Sequence, residues 1–204
     1  MGPEKKDKMV RNKLFKVFFV AMFAIFATGC DNENEFSDYP CRFVFNMNTH
    51  AHSAALLSAV SSQGIFCKVS KVLKDNGARY FHFQNNNELE DDVPFTAEDA
   101  RVTIILGTNN GLWFGLSSLD YDRNNMPMFY AYDAECPNCF DPNAIPVRSR
   151  PLNVNSAGIA TCAVCHREYN MQTGGNIVNG DSGKPLRRFR QANYSTSGIV
   201  SVNN

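Results

Sequence analysis

The sequence predicts an all-β fold, a sandwich or barrel. Stretches that alternate apolar and polar residues, or are rich in aromatic ones, recur at spacings of about ten residues with Gly, Asn and Pro turn signals between them. Only Ala54 to Val60 has helical composition, and it is short. No internal repeat or low-complexity tract interrupts the pattern, which is that of antiparallel sheets joined by short turns. At 204 residues the chain is long enough for one ordinary domain with a real core and a small subdomain.

Charge is unevenly spread. The whole chain balances 20 Lys and Arg against 20 Asp and Glu, which excludes a generally basic nucleic-acid binder. Residues 1–29, however, hold six of the cations (Lys5, Lys6, Lys8, Arg11, Lys13 and Lys16) and only Glu4 and Asp7. The remainder therefore carries 14 basic and 18 acidic groups, a net of −4. The basic stretch runs into an apolar segment from Val17 to Ala27. That is about half the length of a spanning helix and matches the core of a secretory signal. It ends in Ala27-Thr28-Gly29-Cys30, small residues before a cysteine. This resembles the lipobox of bacterial lipoproteins, with Ala27 where Leu is usual, and the resemblance implies that Cys30 carries the lipid. Residues 30–40 then read as an acidic, solvated tether. An acidic stretch just after the lipid cysteine resembles the surface-export signal of Bacteroidota lipoproteins. The expected location is the cell envelope, at the outer membrane or cell surface or on the periplasmic face, with the membrane as partner through Cys30.

Residues 41–204 are expected to form the β domain. Arg42 to Phe45, Gly64 to Ser70 and Ala78 to Phe83 read as half-buried strands. Gln84 to Asp92 reads as a polar, acidic loop. Val102 to Leu106 reads as a short apolar strand, turned at Gly107 to Gly111 into a hairpin partner at Leu112 to Leu116. Met126 to Tyr132 is another strand, leading into the first cysteine pair. Phe43, Phe45, Trp113 and Phe114 are core aromatics.

Cys136-Pro-Asn-Cys139 and Cys162-Ala-Val-Cys165 are two C-x2-C units separated by 22 residues. Each makes a tight knuckle aiming two thiolates at one spot, and two knuckles close a tetrahedral four-sulfur site. In an oxidising compartment the alternative is two small disulfide loops or redox pairs. Neither unit has the strand-then-helix setting of a thioredoxin motif.

The second unit continues through His166, Tyr169, Thr173-Gly174, Gly180 and Pro185-Leu186-x-x-Phe189, and Ala131 to Pro137 leads into the first. In this register residues 100–192 resemble the Rieske family, with residues 38–100 matching only as a β-rich preface. The resemblance implies a Rieske-like β-sandwich carrying a zinc-ribbon or rubredoxin-like metal-binding tip at about 133–192. A Rieske site takes one Cys and one His from each box. Here Asn138 and Cys165 stand at the two His positions, so a four-cysteine variant is implied. Two cofactors are compatible with it. One is a 2Fe–2S cluster for one-electron transfer at a potential near about −400 mV; the other is a single zinc or iron ion. His166 and Tyr169 are expected beside the metal as hydrogen-bonding neighbours.

Other readings are weaker. Cys162-x-x-Cys165-His166 is also a c-type haem attachment string, but it leaves Cys136 and Cys139 unexplained. His50-Ala51-His52 supplies two nitrogen ligands at most and reads as a loop pair. Arg187, Arg188 and Arg190 read as a charged strand edge. Cys41 and Cys67 flank strands; they form either a disulfide, worth about 3 kcal/mol, or two separate buried thiols. No nucleophile–base pair, phosphate loop or carboxylate pair points to an enzyme. The expected role is metal binding or electron transfer with an unidentified redox partner, and no nucleic acid.

Overall fold

The structure, a computed structural model, describes residues 36–204; the leader, Cys30 and the tether up to residue 35 lie outside the described residues. The fold is all-β, in three antiparallel sheets. A central sheet of five strands has the order β4-β3-β2-β5-β6. Its strands are β2 (Phe66–Leu73), β3 (Arg79–Asn85), β4 (Glu90–Pro94), β5 (Leu112–Tyr121) and β6 (Pro127–Asp133). β1 (Arg42–Asn46) pairs with the C-terminal β12 (Ile199–Asn203), which pairs with β11 (Gln191–Tyr194). The third sheet, ordered β10-β9-β8-β7, is built from short strands: β7 (Leu152–Val154), β8 (Ile159–Cys162), β9 (Glu168–Asn170) and β10 (Asn176–Asn179).

The central sheet packs a core on each face, and the two-residue period of its strands sorts its side chains. Cys67, Val69, Phe81, Phe83, Phe114 and Ala131 face a core shared with β1, β12 and the helix α1 (Ala54–Ser61). Their immediate neighbours Phe66, Trp113, Tyr130 and Tyr132 face a second core shared with the short-stranded sheet. The first core is an aromatic cluster. Phe45 meets Phe81 and Phe83 edge-on at 5.5 and 5.1 Å, and Phe43 stacks near Phe114 at 5.9 Å.

Helix α1 starts where Ser53 Oγ accepts the Leu56 amide at 3.1 Å. Asp91 of β4 accepts the Ser53 hydroxyl and the Ala55 amide, which places a carboxylate at the positive end of the helix.

Two expectations about strands are corrected. Val102 to Leu106 is not a strand: a 3-10 turn at Asp99–Arg101 precedes it, and only Ile105 makes a bridge, to Arg42. Leu112 to Leu116 is therefore not its hairpin partner and instead lies between β2 and β6. The acidic loop shrinks to residues 86–89, because Glu90–Pro94 forms the edge strand β4. Charge on an edge strand guards it against further pairing, which is why composition alone reads as loop.

Cys41 and Cys67 both lie in the first core as free thiols, so the structure holds the separate pair and not the disulfide. Burial pushes the Cys41 thiol up to about 12 and raises Cys67 as well.

Candidate metal centre

The two C-x2-C units sit at strand ends. The first follows β6 directly; the second begins at Cys162, the last residue of β8. Each closes with the same backbone bond, from the residue after the second cysteine to the carbonyl of the first. These are Phe140 N to Cys136 O at 2.9 Å and His166 N to Cys162 O at 3.0 Å. The Val164 amide also points at Cys162 Sγ, 3.4 Å away.

All four cysteines come together, their sulfurs within 4.8 Å of one another, with Cys136 and Cys165 at 3.8 Å. Zinc–thiolate bonds of about 2.3 Å in a tetrahedron put sulfurs about 3.8 Å apart, so the cage is of the right size for one ion. Among the described residues it is the one cluster of three or more potential metal-ligating side chains. Cys136 and Cys162 are buried; Cys139 and Cys165 are half-buried and form the outer side of the cage.

The environments of the thiols differ. Burial raises Cys136, and burial together with the neighbouring thiols raises Cys139. Burial would also raise Cys165, but hydrogen bonds from the Arg167 backbone and side chain and from neighbouring thiols outweigh it, and it falls to about 6. Arg167 is itself fixed by bonds to the carbonyls of Asp181 and Ser182 at 3.0 and 3.1 Å.

Tyr169 stands where expected. It is fully buried, its hydroxyl 3.5 Å from Cys136 Sγ, and it accepts from Asn138 Nδ2 at 2.9 Å. His166 makes no hydrogen bond through its ring among the described residues. Its side chain is exposed and its contribution is backbone: φ is +57°, a left-handed turn that completes the second knuckle. His50 and His52 are not a metal pair. His50 packs on Phe45 at 4.1 Å and contacts Asp99 at 2.8 Å, whereas His52 is exposed.

Three further residues brace the site. Asn138, inside the first knuckle, exchanges two bonds with the backbone of Lys184 at 2.8 and 2.9 Å. Asp133 is fully buried and accepts from Thr108 N, Thr108 Oγ and Glu135 N at 2.7–2.9 Å; burial raises its pKa. Glu135, also buried, accepts from Asn109, Ser149 and the Arg150 amide. The turn at 107–111 and the segment at 149–150 are thereby tied to the first knuckle. The only sequence signal for these was an acidic pair at i and i+2 before a cysteine, which is too common to single out.

No protein-family model matches the chain, and no curated protein or solved structure does.

Proposed function

We propose that Cys136, Cys139, Cys162 and Cys165 hold a single tetrahedral metal ion, zinc, as a clip that ties the short-stranded sheet together. The observation that carries this is the compactness of the cage: every sulfur lies within 4.8 Å of the other three. A 2Fe–2S cluster holds its thiolates in two pairs, separated by two irons and their bridging sulfides, and asks for a longer cage. The clip reading also answers a need. Strands of three or four residues bury little on their own, and small layers of this kind gain stability from a structural metal. Four thiolates with no open position supply coordination and no substrate chemistry. The same convergence favours a metal over a c-type haem, which would take Cys162 and Cys165 away from the first knuckle.

The ion's setting is read as a lipid-anchored envelope protein with a Rieske-like β domain. The basic leader, its apolar run, Cys30 and the acidic tether support the anchor. The motif register through Phe189, and the placement of the metal-bearing sheet between β6 and β11, support the family likeness. In this reading the domain is a binding or interaction module at the envelope.

Metal analysis with the optical spectrum of protein purified without oxygen is the test. One zinc per chain and no visible absorbance is the expected result. Two irons with sulfide bands bleached by dithionite would establish the electron-transfer cluster instead. One iron per chain would make the centre a mononuclear redox site.

A further inference from the structure

A cleft of about 630 Å³ runs along β7, between it and the part of the central sheet that the metal-bearing sheet leaves uncovered. Residues 151–156 form one wall. The floor is a cross-strand row in register, Gln84 opposite Lys68 and Lys68 opposite Trp113. Asn87 and Glu88 stand at the rim, Glu88 held at φ +65°.

Three features of this cleft are unused by the fold. The first is the edge of β7. The Leu152 amide points away from β8 and bonds the Ala134 carbonyl at 2.9 Å. By the two-residue alternation of an antiparallel ladder, Val154 turns its own N–H and C=O the same way, where no described residue bonds them. The second is Trp113. The residue is only 4% exposed, and its indole N–H has no acceptor among the described residues. The third is Lys68, whose ammonium makes no ion pair or hydrogen bond among the described residues although it lies directly across from Trp113. Directly opposed cross-strand residues bring their side chains close enough to bind one group together.

We infer that this cleft binds an extended peptide segment of a partner protein, its main chain adding to the free edge of β7 at Val154 and a side-chain carboxylate meeting Lys68 and the Trp113 indole. Strand addition uses an amide and a carbonyl on one edge, which is what Val154 offers, and alternate side chains then enter the cleft. The two unpartnered donors on the floor call for an acceptor bearing negative charge. The cleft contains none of the four cage cysteines, although β7 pairs with the strand that ends at Cys162, so with the cage loaded the inference stands whichever metal it holds.

Titration of the metal-loaded protein with capped pentapeptides, followed by amide NMR, tests it. One peptide has Glu at its centre flanked by Thr and Val; its counterpart has Lys; cellobiose is the non-peptide probe. The Glu peptide is expected to shift the Val154 amide and the Trp113 indole and to slow exchange of the Val154 amide about tenfold. Val154→Pro removes the outward N–H of an edge strand, together with the packing of the Val154 side chain against the second core, and should abolish that binding. Lys68→Ala should weaken it at least about tenfold. Metal content of both variants, and the melting temperature of Lys68→Ala, should stay at the parent values, which shows that the fold is intact; Val154→Ala, which trims the same packing but keeps the amide, should retain peptide binding. The inference is overturned if no peptide shifts these resonances at millimolar concentration. It is equally overturned if cellobiose shifts them and the peptides do not, or if peptide binding survives both substitutions.

Discussion

The two faces of the central sheet are held by different physics. On one face, β1, β12 and α1 close over Phe43, Phe45, Phe81, Phe83 and Phe114, a core with hardly a polar atom in it. On the other, the covering sheet has strands of three or four residues, and its core contains three tyrosines, where the first has none fully buried, beside the cage cysteines Cys136 and Cys162. Polar anchors do the docking there: Tyr132 donates to the Met171 carbonyl at 2.9 Å, and Ser117 and Ser118 bond Gln172. The first layer draws its stability from apolar burial, which needs no ligand. The second has a smaller apolar core, to which it adds directional bonds and, in the reading proposed above, a metal. With the proposed metal, one sheet would carry a self-sufficient layer and a conditional one.

Removing the metal should break the comparison most visibly. Structural zinc sites contribute on the order of 10 kcal/mol to the segments they close. Chelation, or Cys162→Ser, is expected to expose the amides of β8 and β9 to hydrogen exchange while β1 and β12 stay protected. Uniform loss of protection would mean that the two layers are one cooperative unit. Phe43→Ala probes the other side. It should cost about 3–5 kcal/mol in denaturant unfolding and leave metal affinity unchanged.

Acidity sets Cys165 apart from the other shifted thiols, and accessibility sets the cage apart from the thiols of the first core. Metal binding requires thiolates, so metal is expected to leave as pH falls, followed by a zinc-responsive dye. In the metal-free protein Cys165, lowered from an ordinary value near 9 to about 6, is thiolate at neutral pH. The stability it lends is full above the ordinary thiol value and is lost as pH falls through about 6. Cys41, raised to about 12, behaves in the opposite sense, its contribution being lost as pH rises towards that value. Iodoacetamide at neutral pH should therefore modify Cys165 first. Cys41 and Cys67 should react only after unfolding, without added reductant; recovering them unreacted then would restore the disulfide.

The smallest expected effect is at His166. A non-glycine residue at φ +57° carries a conformational cost, and His166→Gly should raise the melting midpoint, equivalent to about 1 kcal/mol, with metal content unchanged. A loss of stability would show that the imidazole has a role beyond its backbone.

Much of this was legible in the chain. The two C-x2-C spacings fix the cage because a knuckle is a local structure, decided by four or five consecutive residues. The alternation at Arg42 to Phe45 and Ala78 to Phe83 fixes strands because one side of each is buried. Val102 to Leu106 misled because an apolar run records burial and not ladder partners, and the turns on either side leave room for one bridge. Glu90–Pro94 misled in the opposite direction, since its acids serve the edge and the start of α1. The bracing by Asp133 and Glu135 was invisible because both act on residues 14–26 positions away, which no local pattern records.

The alternation along β2, β5 and β6 also governs how the chain tolerates change. Phe66 and Cys67, Trp113 and Phe114, and Ala131 and Tyr132 are consecutive residues that serve opposite cores. A substitution in any of these strands damages one core. Insertion or deletion of a single residue would instead exchange the two sets, sending aromatic side chains meant for the phenylalanine cluster toward the cysteines and the reverse. These three strands should therefore tolerate changes of side chain better than changes of length, while residues 87–89 and 156–157, exposed at hairpin ends, should accept both without loss of the fold.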